Sequence, residues 1–276
     1  MTILELKEQP TYIIGDIHGE VGFFKTRIQN DEKIHDCNLI ICGDIGLGFY
    51  AESKHRGDYN VLSKFLFERN VMLYLLRGNH DDPSYFTKHI IDKENIITLE
   101  DYTILKIGKT HILCIGGGIS IDRTQRIKRY EKNLYWAKEF NPNLTEEELN
   151  KKVIKGYWKD EAPYYNEEVM NEICENQFPI HYVISHTSPS FCFKSDLKGI
   201  EHWLTFDEKL EEDLKQERAV LSQVYLTLRD NDQPLKEWVY GHFHAHHEEE
   251  FEGVKFTTLM NADFEWDVKE LTLIND

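Results

Sequence analysis

The sequence predicts an α/β domain, and three observations predict it. Short apolar runs recur, and nearly every one ends in a glycine or a polar cluster: YIIGDIH, NLIICGDIG, MLYLLRGNHD, HILCIGGG, HYVISHTSP and EWVYGHFH. Runs of that length bounded by turn residues read as buried strands. Helix-like patterns over Val21–Asn30 and residues 58–69 fall among the early runs, giving the strand and helix alternation of βαβ units. The later runs KFTTLM and KELTLI have no helix between them and read as sheet strands that close the chain.

Two longer stretches interrupt the alternation. The first, at about 120–178, contains NLTEEELNKKVIK, where Thr145 and Glu148 have capping-box spacing and predict a helix start. The second, at about 188–235, contains TFDEKLEEDLKQERAVLSQVYLTL. There Thr205 and Glu208 repeat the spacing, and Leu210, Leu214, Leu221 and Val224 form one stripe of a long helix whose charged face is solvated. No internal repeat, low-complexity tract or Pro/Gly/Ser-rich linker divides the chain. Residues 1–276 are therefore expected to form a single domain with insertions in those two stretches.

With 41% hydrophobic and 12% aromatic residues, the chain has the apolar surface needed to offset the entropy of ordering. The formal net charge of -17, from 32 basic and 49 acidic side chains, would repel a phosphate backbone. A broad nucleic-acid surface is disfavoured, and a compact substrate delivered to a local site is favoured. The five cysteines are an odd number without a CxxC pair, and Cys37, Cys42 and Cys114 lie in or beside apolar runs, as buried reduced thiols do. The opening MTILELKEQP lacks a basic region followed by an apolar one, and no segment reaches bilayer length. A soluble, cytoplasmic protein with no membrane partner is the expectation.

In open α/β sheets, functional side chains gather where the carboxyl ends of strands bring loops together. The polar clusters fall at those ends: Asp16 and His18, then Asp44, then Asn79 with His80 and Asp81, then His186, then His242 and His244. Asp16 and His18 point the same way if the chain stays extended, so the pair could grip one ion. A lone histidine after a strand is more often a satisfied loop residue. Five strand ends that each offer oxygen or nitrogen ligands are hard to assemble by accident, because buried polar groups need partners. The set lacks a thiolate, and its mixed donors suit manganese, iron, cobalt, nickel or zinc better than magnesium or calcium.

The blocks GDIHG (15–19), GDIG (43–46), GNHD (78–81), SHTSP (185–189) and GHFH (241–244), taken in that order, resemble the calcineurin-like metallophosphoesterases. The resemblance implies a four-layer α/β/β/α sandwich of two mixed β-sheets flanked by helices. It also implies two divalent metal ions, with manganese preferred. One would be held by Asp16, His18, Asp44 and His244, the other by Asp44, Asn79, His186 and His242, with Asp44 as the bridge. Two cations about 3.5 to 4 Å apart would activate a bridging hydroxide for in-line attack on a phosphoryl group. His80 would protonate the leaving alkoxide, with Asp81 holding its imidazole in the needed tautomer. The expected substrate is a phosphomonoester or small nucleotide. A phosphodiesterase or nuclease is the alternative, and a non-catalytic scaffold is disfavoured because all seven ligand positions and His80 are present.

The resemblance thins at the phosphate clamp. Protein Ser/Thr phosphatases carry an arginine in the second block, and here Gly48 stands in its place. The locally basic stretch SIDRTQRIKRYEK (120–132) offers a replacement, with Arg123 the preferred clamp and Arg126 the second candidate. The competing expectation is a surface helix whose basic side chains pair with acidic neighbours. Trp136, Trp158 and Trp203 either line a substrate cleft or fill the core, and His246 and His247 are expected at or near the surface.

Overall fold

The computed structural model describes residues 1–193 and 199–274. The predicted strands divide between two sheets. In the five-stranded sheet, β2 (Thr11–Ile14), β3 (Cys37–Ile41), β4 (Val71–Leu75) and β5 (Ile96–Thr98) run parallel, and β12 (Val268–Glu270) pairs antiparallel with β2. The seven-stranded sheet contains β1 (Ile3–Glu5), β6 (Thr103–Ile107), β7 (Thr110–Ile115), β8 (Tyr182–Ser185), β9 (Glu237–Tyr240), β10 (His247–Phe251) and β11 (Val254–Thr258). Its order is β1-β6-β7-β8-β9-β11-β10, with β7, β8, β9 and β11 parallel and antiparallel hairpins at β6–β7 and β10–β11.

Alternation along each strand builds the layers, because successive side chains point to opposite faces. Ile13, Ile40 and Tyr74 of one sheet meet Leu105, Ile112, Ile184 and Val239 of the other in a buried layer between the sheets. Their neighbours Ile14, Ile41 and Leu73 face outward onto α1 (Val21–Asn30) and α2 (Glu52–Glu68). Those helices bury Phe24 and Ile28, and Tyr59, Leu62 and Leu66, at helical spacing. On the other side, Leu113, Val183 and Trp238 pack against α6 (Glu167–Glu175) and α8 (Leu210–Asp230). The result is helices, sheet, sheet and helices, as the family resemblance implies.

The remaining helices are α3 (Ser84–Thr87), α4 (Arg123–Phe140), α5 (Glu146–Lys152) and α7 (Glu201–Leu204). α5 starts at Thr145 with both halves of the capping box in place. The second predicted capping box is not formed. Thr205 Oγ1 donates to the His202 carbonyl at 2.7 Å and closes α7, and α8 begins only at Leu210. α2 starts earlier than the pattern at 58–69 suggested, at Glu52, because its first turns carry polar residues that the apolar period does not mark.

Candidate active site

β2, β3, β4, β7, β8 and β9 all deliver their carboxyl ends to one edge of the sandwich, where the polar clusters converge. Close backbone approach is built into the blocks. A Cβ at Gly78 would collide with Oδ1 and the backbone nitrogen of Asp44, and one at Gly241 would collide with Oδ1 of Asp16. The glycines before Asn79 and His242 therefore let the loops close around the two aspartates. Four of the candidate ligands also sit in the left-handed backbone region: His18 (φ 42°), Asp44 (50°), His242 (66°) and His244 (48°). Each such non-glycine residue costs about 1 kcal/mol or more, and such conformations cluster at functional sites.

Asp16 and Asp44 are buried at the centre. His18 Nε2 lies 3.7 Å from Asp16 Oδ2 and 3.4 Å from Asp44 Oδ2, and His244 Nε2 lies 3.1 Å from Asp16 Oδ2. On the far side of Asp44, His186 Nε2 is 3.2 Å from Asp44 Oδ1, 3.0 Å from Asn79 Oδ1 and 3.2 Å from His242 Nδ1. Among the described residues, three groups of side chains hold ligand atoms within 4.8 Å of one another: Asp16, His18 and His244; His18, Asp44 and His80; and Asp44, His186 and His242.

The outer contacts decide whether a cation fits. His186 Nδ1 faces the Cys42 carbonyl at 2.9 Å, an acceptor only, so its proton belongs there and the Nε2 lone pair is turned inward. His18 Nδ1 likewise faces Asp263 Oδ2 at 3.3 Å. Asn79 donates Nδ2 to Ser120 Oγ at 3.1 Å, which aims Oδ1 into the cluster, and Ser120 Oγ in turn donates to buried Glu161 at 2.8 Å. With the imidazoles neutral, as metal ligands are, their lone pairs would converge with those of the carboxylates and an amide, the remaining protons pointing away. A divalent cation fits that donor set.

Electrostatics agree. Burial opposes the charged imidazolium, yet the Asp44 and Asp16 carboxylates outweigh it and hold His18 and His186 up to about 9 each. His242 is driven down to about 3 by burial and by positive His186 beside it. Asp44, despite its burial, is held well below the usual carboxylate range by His186, His80 and His18. Without a metal, protons on His18 and His186 supply the positive charge that the two carboxylates demand.

His80 stands beside this cluster. Its ring stacks on Phe49 at 5.4 Å and 27°, and its Nε2 lies 2.6 Å from Arg126 Nη2. Burial and the guanidinium lower its affinity for a proton, with Asp44 opposing. Asp81 does not touch the imidazole, which corrects the expectation that it sets the His80 tautomer. Its carboxylate instead accepts the backbone N–H groups of Ile45 (3.0 Å), Leu47 (2.9 Å) and Gly78 (2.8 Å), fastening the loop after β3 to the loop after β4. Burial and nearby Asp44 push that carboxyl up to about 7, against the three donors.

The order of the two arginines is also corrected. Arg123 directs Nε to Asp207 and Nη2 to Asp213, both at 2.6 Å, and does not line the cavity at the cluster. Arg126 does line it, one helical turn further along α4, while its Nε pairs with Asp122 at 2.6 Å. Arg77 fixes the neighbouring loops through Asp101 (2.8 Å) and the Glu161 carbonyl (2.7 Å). Of the tryptophans, Trp203 lines the cavity, Trp158 is buried and Trp136 is exposed. His246 is exposed and pairs with Asp267. Sequence reasoning missed Ser120 as a partner of Asn79, together with Glu161 and Asp263. Ser120 sits two residues past the GGG run, but no spacing marks the other two.

A comparison with curated proteins gives no match. Among solved structures, the phosphopantetheinyl hydrolase of Mycobacterium tuberculosis is similar at 13% identity, covering 96% of this chain and 97% of that one with a TM-score of 0.48. The protein TT1561 of Thermus thermophilus is similar at 10% identity over 92% and 89% of the two chains, with a TM-score of 0.49. A dimetal phosphatase from Danio rerio is similar at 13% identity over 92% and 88%, with a TM-score of 0.46. Residues 10–265, from just before β2 to beyond the last histidine block, fit the family model of the calcineurin-like phosphoesterases, and the chain belongs to that family.

Proposed function

We propose that the chain is a dinuclear metal-dependent phosphoesterase that hydrolyses a phosphomonoester or small nucleotide. The observation that carries the reading is the convergence of nitrogen and oxygen ligand atoms on both sides of Asp44, with the outward ring nitrogens of His18 and His186 facing Asp263 and the Cys42 carbonyl. Asp16, His18, Asp44 and His244 would hold one cation, and Asp44, Asn79, His186 and His242 the other. Bound there, divalent cations such as manganese would lower the pKa of a water, hold a phosphoryl oxygen and neutralise developing charge.

The chain's own groups do the rest. Arg126, which lines the cavity with Asp44, would give its guanidinium donors to an entering phosphate, in the bidentate manner arginine favours. Doing so would draw it from His80 Nε2, which it contacts at 2.6 Å in the free site. Released from the guanidinium and set beside an anionic substrate, His80 would gain a proton more readily and deliver it to the leaving oxygen. Phe49 fixes the ring plane meanwhile. The acidic chain, with Arg126 as the guanidinium beside the cluster, suits a compact substrate better than a polymer.

The test is hydrolysis of a phosphomonoester and phosphodiester panel in manganese, iron, cobalt, nickel and zinc, with bound metal measured independently. Hydrolysis should require metal, and Asp44→Asn should remove both metal uptake and turnover. A protein that binds metal fully and hydrolyses none of the esters would overturn the reading.

A further inference from the structure

A phosphate and its ligands would occupy only one end of the cavity beside Asp44, whose volume is about 500 Å³. Small-molecule sites run from about 300 to 1,000 Å³. The polar end is formed by Asp44, Asn79, His80, Arg126 and His242. The other end is apolar, built from Ile119, Ile121, Ile200, Trp203, Leu214 and Phe243. These residues come from separate segments: the loop after β7, α7, the first turns of α8 and the loop after β9. Ile119 and Leu214 form a small buried cluster with Leu210, against which Ile121, Ile200 and Trp203 pack half-buried. That cluster is separate from the three larger ones in the sandwich, whereas Phe243 packs at the margin of the cluster that joins the seven-stranded sheet to α6 and α8.

Glu217 and Arg218 carry hydrogen bonds to the loops around the apolar end. Glu217 accepts the Ile119 N–H at 2.6 Å and the Thr187 hydroxyl at 2.8 Å. Arg218 donates to Ser188 Oγ and to the carbonyls of Pro189, Cys192 and Phe193, and its guanidinium lies 5.1 Å from the Phe243 ring centre, holding that ring in place. A second phosphate, or the next nucleotide of a polymer, would meet apolar side chains there. An apolar ring would meet surface that gains by being covered.

We propose that this apolar half of the cavity is the leaving-group subsite, and that the substrate is a phosphomonoester whose alcohol carries a planar apolar ring seated against Trp203 and Phe243. The proposal rests on the phosphoesterase reading above and adds to it the class of substrate.

The experiment compares 2-(2-naphthyl)ethyl phosphate with ethyl phosphate, whose leaving alkoxides are similar in basicity, using the metal-loaded protein. Burying the ring should raise kcat/KM for the naphthyl ester by about tenfold or more. Trp203→Ala and Ile121→Ala, both at half-buried positions, should each reduce that ratio, Trp203→Ala on the order of tenfold. A ratio near one in the wild type, or a ratio unmoved by both variants, overturns the proposal and leaves the phosphoesterase reading standing. Calorimetric binding of 2-naphthyl phosphate supplies the separate arm. If no ester is hydrolysed but the compound binds and Trp203→Ala abolishes binding, the subsite stands and the phosphoesterase reading fails. If it neither binds nor is hydrolysed, the subsite falls, and the phosphoesterase reading is decided by the ester panel alone.

Discussion

The imidazole of His80 is framed by Phe49 on one face and by the Arg126 guanidinium at Nε2, and that pairing sets two expectations at the scale of single residues. Burial and Arg126 both lower the proton affinity of His80 while Asp44 raises it. Arg126→Ala should therefore move the His80 pKa upward, followed by NMR titration, while kcat/KM falls by roughly a hundredfold through loss of the phosphate contact. Arg126→Lys should restore the charge but not the bidentate geometry, and recover only part of the activity. Arg123→Ala should leave kcat/KM near the wild-type value and cost about 1 kcal/mol of stability, since its pairs with Asp207 and Asp213 are partly exposed. Equal kinetic losses in the two alanine variants would refute the assignment of the clamp to Arg126. Ser120 supplies a third case, because it turns the Asn79 amide so that its oxygen faces the candidate ligands. Ser120→Ala should weaken metal affinity by about tenfold, and Ser120→Thr should recover it. Metal titrations with unchanged affinity in Ser120→Ala would refute that role.

At the scale of elements, Asp81 shows how loops that carry ligands are held. Its carboxylate bridges the loops after β3 and β4 through three backbone N–H groups. Asp81→Asn would leave at least one of those buried donors without an acceptor, a loss of about 1 to 3 kcal/mol. The expected signature is a lower Tm and weaker metal binding, with the dependence of rate on leaving-group basicity unchanged. His80→Ala should do the reverse, slowing esters of basic alcohols on the order of a hundredfold more than activated aryl esters, with little change in Tm. If Asp81→Asn altered the leaving-group dependence as His80→Ala does, Asp81 would belong to the proton-transfer step after all. The elements themselves were unevenly legible. The central strands were readable because buried parallel strands are nearly continuous apolar runs, as in β3 and β4. β1, β5, β6 and β10 were not picked out, and two of them show why: β1 has only three residues, and β10 reads HEEEF with no apolar face. α4 buries no residue at all, so no apolar period marked it, and only its basic residues suggested the surface helix that was the competing expectation for 120–132. The candidate ligands were legible because their glycines and polar residues stand in contiguous blocks. Glu161 and Asp263 were not, because their partners lie 41 and 245 residues away in sequence and no local pattern encodes such a contact.

Across the whole molecule, the ligand cluster and the apolar half of the cavity hold titratable groups whose proton affinities are raised by folding. His18 and His186 are held up to about 9 in the folded chain, against about 6.5 for an unperturbed histidine. Between those values the folded protein binds more protons than the unfolded one, so this contribution to stability is present at pH 6.5 and is lost as the pH rises through 9. Burial pushes Glu161 up to about 8 and Glu217 up to about 7, and both act in the same direction over the lower part of that window. The low value of His242, about 3, works in the opposite sense only below pH 6.5 and does not offset them. The Tm of the metal-free protein should therefore fall as the pH is raised from 6.5 to 9. A bound cation satisfies the same carboxylates, so loading should raise the Tm, flatten its pH dependence and release roughly two protons near pH 8, one from each imidazole. Calorimetry in two buffers of different ionisation enthalpy counts those protons. A Tm that rose from pH 6.5 to 9 without metal, or metal uptake with no proton release, would mean that His18 and His186 do not carry the compensating charge, and the case for a cation at both sides of Asp44 would lose its electrostatic support.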